Sequence, residues 1–591
     1  MLSLHDGFLQ FSCEAATSSP NLLSFPIPMV SHIEYAIFGT LMALNFALGI
    51  YFSVRRKGNS APTTAEVFLG SRTLGALPLA ASIAASLISS TSIVGLAGHY
   101  YAYGFHFIWH RVISIPVALA ASRIFLPVMY GLHVTSVFQY IRLRFNSAIS
   151  LTACVIYMFV TVSFGAIIIF AASLAIVTVF GFPLLWCNII IGLSGTIYTA
   201  LGGLRAVVWT DCMQLLFIIL GPATVIGKVF VHLSSTGRTS DAFKDFSFRS
   251  YILNTQFDLT HDESVWVAVS SMAAAFYRVS MDQVVMQRGL ASRTLANAQR
   301  TIFTGCLLLL AVYAVEVIMV FSLVLWFRGC DPKLAGAIMS RDQILPFYIK
   351  RYLTEFPGFT GLFLSAVVTA ATSSISSITN SLAAVLYVDM LELRFKNIGS
   401  HARWTTQALA FFFGGIMTGY SCLCVYMGSI VRAIIMVHSA AAGPSLGLVL
   451  LAVAFPFVHC KGAGISTLVV FASQIVLLWL RIQNGAKPPS MAFTLDYCPQ
   501  NSTNFLPTDK VTAPFNKTSM GNTTSFLPSP FWSCSFATCA TVILGVVFTL
   551  ATGEHRNPAA DATHLNSSLA VLWRKLGVLQ REERNEVCTP H

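Results

Sequence analysis

Charge is scarce in this chain. Only 10% of its 591 residues are Asp, Glu, Lys or Arg, against about 25% in a soluble globular domain. That shortfall excludes a surface that faces water throughout. Nucleotide-cradling patterns of the GxGxxG or Walker type are absent, so no kinase or nucleotide-binding module is expected. No CxxC pair stands at metal spacing, which excludes a structural zinc site. The scattered histidines give no HExxH-like pair and no paired acid and base groups, so an integral-membrane enzyme is not expected. The formal charge of +12 is not pooled into a basic patch with interleaved aromatics, which argues against a nucleic-acid partner. The first 30 residues lack a basic run ahead of an apolar core, and they carry Asp6 and Glu14. A cleaved signal peptide is therefore not expected, and the first span is left to do the targeting.

What is abundant is apolar sequence: 55% of residues are hydrophobic and the mean hydropathy is +0.70. Stretches long enough to cross a bilayer recur at 33–54, 75–99, 105–130, 147–178, 184–202, 206–232, 264–287, 301–327, 359–391, 405–426, 429–456, 463–482 and 532–552. The expected class is an all-α polytopic membrane protein of about 13 helices. It divides into an N-terminus (1–32), a transmembrane core (33–483), a polar loop (484–531), a last span (532–552) and a tail (553–591) that is polar and mixed in charge.

Basic residues orient the chain. Arg55, Arg56 and Lys57 follow span one; later odd-numbered spans end near Arg142 and Arg144, Arg205, Arg288 and Arg293, Arg394 and Lys396, and Lys461. Short connectors at the other end (100–104, 179–183 and 427–428) hold no Lys or Arg. The expectation is an N-terminus outside and a C-terminus in the cytoplasm of a plasma-membrane protein. The loop 484–531 then lies outside, and it carries sequons at Asn501, Asn516 and Asn522. A further sequon at Asn566 falls in the cytoplasmic tail and is expected to stay unmodified. Most of the thirteen cysteines, such as Cys154, Cys187, Cys212 and Cys306, lie in apolar spans as small hydrophobes. Cys330, Cys498 and Cys534 leave open whether an extracellular disulfide forms.

Three spans are not bland. Span two carries Ser86-Leu-Ile-Ser-Ser-Thr-Ser92 with Gly95 and Gly98 behind it, and span nine carries hydroxyls from Thr369 to Asn380. Span seven holds Tyr277, Arg278, Asp282, Gln283 and Gln287. A lone Ser pair in a helix usually bonds back to its own backbone or eases helix packing. Two dense clusters separated by seven helices point instead to a sodium site built from neutral oxygens. An interruption of span two at Gly95 and Gly98 is expected to expose carbonyls at mid-membrane depth.

Residues 198–214 read YTALGGLRAVVWTDCMQ, which resembles the signature of the sodium/solute symporter family. The resemblance runs over about 33–483. Within the family the chain is most similar to the branch carrying monocarboxylates, multivitamins and iodide. MDQVVMQR (281–288), CDP (330–332), DQILPF (342–347), FPGFTGLFLSA (356–366) and PSLGL (444–448) support that placement. The resemblance implies a LeuT-like fold with 5+5 inverted repeats, at about 75–232 and 264–456, and broken helices. It implies a sodium site from the carbonyls of Ala85, Ile88 and Ala370 and the hydroxyls of Ser373 and Ser374. Asp211 then belongs to a further sodium site, or else is an ion-pair partner of Arg205 or Arg288.

The same resemblance implies a sodium-coupled symporter that moves a small organic solute into the cell by alternating access, an anionic monocarboxylate or vitamin-like compound in the first instance. Its partners are sodium, the solute and the lipid bilayer. The solute is expected between spans two, three, seven and eleven, with Thr91, Ser92, Arg111, Tyr277, Arg278, Asp282, Gln283 and Arg432 as candidate contacts. Arg111 falls where sugar carriers have a glutamate, and it either binds a carboxylate bidentately or snorkels to the outer surface. The acidic and amide groups used for sugar are missing from span two. The chain also departs from its branch there: it reads ISSTSIVGLAGHYYAYG, with His99 in place of an acidic residue and without the branch's proline. Two alternatives remain, a symporter for another solute such as iodide, choline or sugar, and a non-transporting sensor with the same fold. A channel is disfavoured because no short pore module or charged ring repeats.

Overall fold

The computed structural model describes residues 31–54, 68–236, 246–395, 402–484, 490–496, 498, 527–557 and 561–578. The sequons at Asn501, Asn516 and Asn522 lie outside the described residues. A chain in hydrocarbon must satisfy every backbone polar group within its own segment, so helix is the only open-chain solution. The described residues are accordingly helical, with one isolated β-bridge between Leu74 and Ser292.

Among the described residues, thirteen helical segments follow in order. They are α1 (His32–Val54), α2 (Ala76–Leu87 continued by Thr91–Tyr103), α3 (Ile108–Ile124 continued by Leu126–Gly131), α4 (Ser147–Phe180), α5 (184–202), α6 (204–236) and α7 (267–290). Then come α8 (Leu295–Phe327), α9 (Phe359–Leu386), α10 (Ala402–Ser421), α11 (Ile430–Ala454), α12 (Cys460–Asn484) and α13 (Pro530–Ala551). A short helix, α14 (Ser567–Lys575), follows. Large apolar side chains such as Phe159, Ile190, Phe230 and Ile543 stand more than 60% exposed around the periphery. That is the pattern of a lipid-facing surface rather than of a water-facing one.

Local chemistry sets the ends. Asn146 caps α4 by accepting from the Ile149 amide at 2.9 Å, and Gly181 ends it in the left-handed conformation (φ 75°). Within the GG pair, Gly203 adopts φ 64°, ψ −173°, which turns the chain between α5 and α6 where a side chain would be strained.

Two of these spans are broken, α2 and α7. In α2 the halves meet at 52°. In α7 the helix stops at Met281, Asp282 is extended (φ −67°, ψ 112°), and its carboxylate restarts the helix by accepting from the Val284 amide at 2.9 Å. The α2 break is not at Gly95 and Gly98 as expected. It lies at Ile88–Ser90, where Ile88 is extended (φ −90°, ψ 119°), and a π-helical turn at Thr91–Gly95 restarts the helix. The glycines serve close packing instead. A Cβ on Gly95 would press on Ile430 and Val431, and one on Gly98 would meet the Asp342 backbone at 2.7 Å.

Outside the spans, Cys330 pairs with Cys498, while Cys534 is a buried free thiol inside α13. The Asp342 carboxylate accepts from the Ile430 amide at 3.2 Å, holding the start of α11 against the second half of α2. Burial pushes this carboxyl up to about 6, against the opposing pull of the Ile430 amide.

Candidate functional site

The two broken helices and α9 meet at mid-span. At the end of a helix the last carbonyls have no helical donors, and at the α2 break these are supplied from α9. Ser373 Oγ donates to the Ala85 carbonyl at 3.0 Å and lies 2.9 Å from that of Ala370. Ser374 Oγ reaches the Ser86 carbonyl at 2.9 Å and that of Ile88 at 3.3 Å. All of these residues are buried. The five oxygens implied by the resemblance thus fall into two sets on adjacent serines of α9, Ser373 with the Ala85 and Ala370 carbonyls and Ser374 with that of Ile88, and the Ser86 carbonyl joins the second set. Neutral oxygens at such separations suit a hard monovalent cation, and no carboxylate is needed among them.

One turn along α2 lies a second cluster. Arg288, at the end of α7, is completely buried. Its guanidinium donates to Ser82 Oγ (2.7 Å), Ser86 Oγ (2.8 Å), Ser377 Oγ (2.5 Å), the Val284 carbonyl (2.7 Å) and Asp211 Oδ2 (3.1 Å). Ser82 and Ser86 also donate to that same Asp211 oxygen, at 2.6 and 3.1 Å. Of the two arginines expected as ion-pair partners of Asp211, it is Arg288 that pairs. Asp211 Oδ1 has no donor. Beside it, Gln214 donates to Asn45, which donates to Thr372, so α1 and α6 are tied to the hydroxyl-rich face of α9.

Between these clusters and α11 lies a cavity with about 400 Å³ of empty space, open solvent included. Its lining comes from α2 (Ser86), α4 (Tyr157, Thr161, Phe164), α7 (Tyr277, Arg278, Asp282), α9 (Ile378) and α11 (His438). Arg278 Nη1 pairs with Asp282 Oδ2 at 2.8 Å, its guanidinium lies over the Phe164 ring, and its side chain is 28% exposed. Arg278 is itself part of the cavity lining. Tyr157 donates to Asp282, and His438 packs edge-on against Tyr277 with its Nε2 unpaired.

Of the candidate solute contacts, Tyr277, Arg278 and Asp282 line this cavity, and the others do not. Gln283 is engaged by the backbone, donating to the Thr135 carbonyl and accepting from the Val137 amide. Thr91 bonds Ser89 across the helix break. Ser92 is buried outside the lining, and Arg432 is also absent from it. Arg111 neither reaches the cavity nor snorkels outward; it lies over the Tyr313 ring at 3.8 Å, between α3 and α8. The cavity is lined from spans two, four, seven, nine and eleven, so it shares three of the four spans between which the solute is expected. Tyr157, Thr161, Phe164 and His438 carried no signal beyond ordinary helical sequence, because only the packing of distant spans turns them to one space.

Paired broken helices around a mid-span oxygen cluster define a carrier rather than a pore or an enzyme. The comparisons place it more closely. Residues 67–469 match the sodium:solute symporter family, and the chain belongs to that family. It is 29% identical to the sodium-coupled monocarboxylate transporter 2 of Mus musculus, over 73% of this chain and 69% of the relative. It is likewise 29% identical to the sodium-dependent multivitamin transporter of Oryctolagus cuniculus, over 92% of this chain and 87% of the relative. A sodium-coupled sialic acid symporter, solved substrate-bound and outward-open, shares the fold at a TM-score of 0.71 and 19% identity, covering 88% of this chain and 98% of that one. The chain is a sodium-coupled symporter with the broken-helix, inverted-repeat architecture.

Proposed function

We propose that this symporter takes a small carboxylate into the cell with sodium, the solute's carboxylate meeting Arg278 in the central cavity. The observation that carries this reading is a guanidinium in the cavity wall held by Asp282 through one nitrogen only. A guanidinium fork suits a carboxylate better than a neutral solute. Tyr277, Thr161 and His438 supply the neighbouring polar atoms, and monocarboxylate and multivitamin carriers among the relatives support the class. Sodium is assigned to Ala85, Ile88, Ala370, Ser373 and Ser374, with Asp211 as a further site.

A membrane potential contributes about 2.3 kcal/mol per charge per 100 mV. One sodium moved with a monovalent anion carries no net charge, so voltage-driven uptake of an anion requires a second ion. Asp211 is the acidic group beside the first cluster that fits this need.

The test is uptake of labelled monocarboxylates, vitamins, iodide, choline and glucose, with sodium and with sodium replaced. A carboxylate is expected to accumulate only with sodium. Arg278→Gln is expected to lower its apparent affinity about 10- to 100-fold, the loss of one charge-assisted contact, at unchanged surface amount. Equal carboxylate affinity in this variant defeats the assignment of Arg278, and accumulation of choline or glucose alone defeats the solute class.

The proposed orientation has the N-terminus outside and the tail inside. Asn566 gives it a check. Its side chain caps α14, accepting from Ser568 and Leu569, and donates to the carbonyls of Arg123 and Ile124. Replacing Asn501, Asn516 and Asn522 with Gln is expected to lower the mass seen on gels to that of the deglycosylated chain, while Asn566→Gln leaves it unchanged. A mass loss with Asn566→Gln contradicts both the orientation and the buried cap.

A further inference from the structure

Away from the cavity, a carboxyl group lies at mid-span without a partner. Glu316, on α8, is 2% exposed, and neither Oε1 nor Oε2 receives a hydrogen bond. It stands 11 residues from Phe327, which is about 16 Å along the helix at 1.5 Å per residue. Charges at such depth in a membrane protein are costly and are normally paired.

The charged neighbour is Arg111 of α3, close enough to act on Glu316 electrostatically, although the two form no ion pair. Arg111 is instead laid over two rings, Tyr313 at 3.8 Å and Phe107 at 5.0 Å, and its Nε is unpaired. Tyr100, on the second half of α2, is the third group at this place: its hydroxyl makes no hydrogen bond by strict geometry but lies close enough to Arg111 and Glu316 to interact with both. Among the described residues, the polar groups around the Glu316 and Arg111 side chains are His110 from α3, Tyr100 and His99 from α2, and Tyr313 from α8 itself. On the α6 side the described titratable group towards the same end is His232, which stacks on Trp326 three turns further along α8.

Two of the three helices that bring these groups together are interrupted near them. Tyr100 rides on the half of α2 beyond the 52° break. Arg111 lies five residues before Pro116, where α3 lacks a backbone bond. A carboxylate that is buried and undonated has two ways to escape its cost: it takes a proton, or its cation closes on it.

We propose that Glu316 is a proton-binding group of this carrier and that Arg111 is its switch. With Arg111 held on Tyr313, as here, Glu316 carries the proton as a neutral acid. When Arg111 closes onto Glu316, the O–H bond breaks, the proton passes to water, and the carboxylate pairs with the guanidinium. Acid favours the open arrangement and alkali the closed one. This inference does not rest on the identity of the solute.

The test is infrared spectroscopy of the purified full-length chain in lipid nanodiscs, titrated from acid to alkaline buffer. It reads the C=O stretch of protonated carboxylic acids. The expected result is a band that disappears as pH rises in the wild type, is missing in Glu316→Gln, and returns with altered frequency in Glu316→Asp. Arg111→Gln, which leaves the carboxyl in place, is expected to move the loss of the band to higher pH, because the cation that favours ionisation is gone. Identical titrations of wild type and Glu316→Gln overturn the proposal: the carboxyl is then ionised throughout, for instance through a bridging water. A titration unmoved by Arg111→Gln overturns it equally, because the proton is then not governed by this arginine.

Discussion

Arg288→Met is expected to remove most of the protein from the cell surface and to lower the melting temperature of what remains. The guanidinium is completely buried and holds Asp211, Ser82, Ser86, Ser377 and the Val284 carbonyl at once. Removing one partner of a buried ion pair leaves an uncompensated charge and costs about 3–5 kcal/mol, a large part of the roughly 5–15 kcal/mol that holds an ordinary domain together. Asp211 would keep only two serine donors, on the one oxygen that already has them. Exchanging Asp211 as well, as Arg288→Met/Asp211→Leu, is expected to recover part of the loss, because no bare charge remains. Surface biotinylation and melting in detergent measure both variants. Wild-type levels of Arg288→Met would sink the argument. Melting in sodium and in choline adds a second reading: if Asp211 accepts an ion, sodium protects Arg288→Met more than it protects the wild type.

The second large effect is expected from Ser373→Ala/Ser374→Ala. These hydroxyls are the only side-chain oxygens in the five-oxygen cluster assigned to sodium, the rest being carbonyls of Ala85, Ile88 and Ala370. A contact to a charged group is worth about 1.5–3 kcal/mol, and each 1.4 kcal/mol is tenfold in affinity. Losing two hydroxyls therefore raises the sodium concentration for half-maximal uptake by about 10²- to 10⁴-fold. The fold should survive, since both hydroxyls bond to carbonyls at a helix break and leave no unpaired charge. Uptake measured against sodium concentration, at matched surface expression, gives the answer. A sodium requirement unchanged in the double variant would remove these hydroxyls from the site.

The membrane class and the approximate positions of the spans are written in the chain itself. Hydrophobic runs of spanning length need no tertiary partner to be recognised, because the bilayer demands them one at a time. The hydroxyl clusters at Ser86–Ser92 and Thr369–Asn380 were legible for a related reason: polar groups are conspicuous inside apolar helices. The GG pair was legible only as part of the family signature; the turn that Gly203 makes between α5 and α6 (φ 64°, ψ −173°) is a finding of the structure.

Other features depended on distance in three dimensions. The break in α2 was placed at its glycines, yet Ile88 breaks the helix, since hydroxyls from α9 satisfy the carbonyls released there. Gly95 and Gly98 are small because α11 and the Asp342 segment approach them. Arg278 and Arg111 look alike as lone cations in apolar spans, but one lines the central cavity and the other lies on Tyr313. Tyr157 and His438 gave no local sign of meeting at that cavity. Sequence alone determined that the chain spans a membrane, where its polar clusters lie and which family it resembles, because those depend on local composition and ordered motifs. Only the tertiary structure decided which side chains share a space, because that depends on the packing of helices hundreds of residues apart.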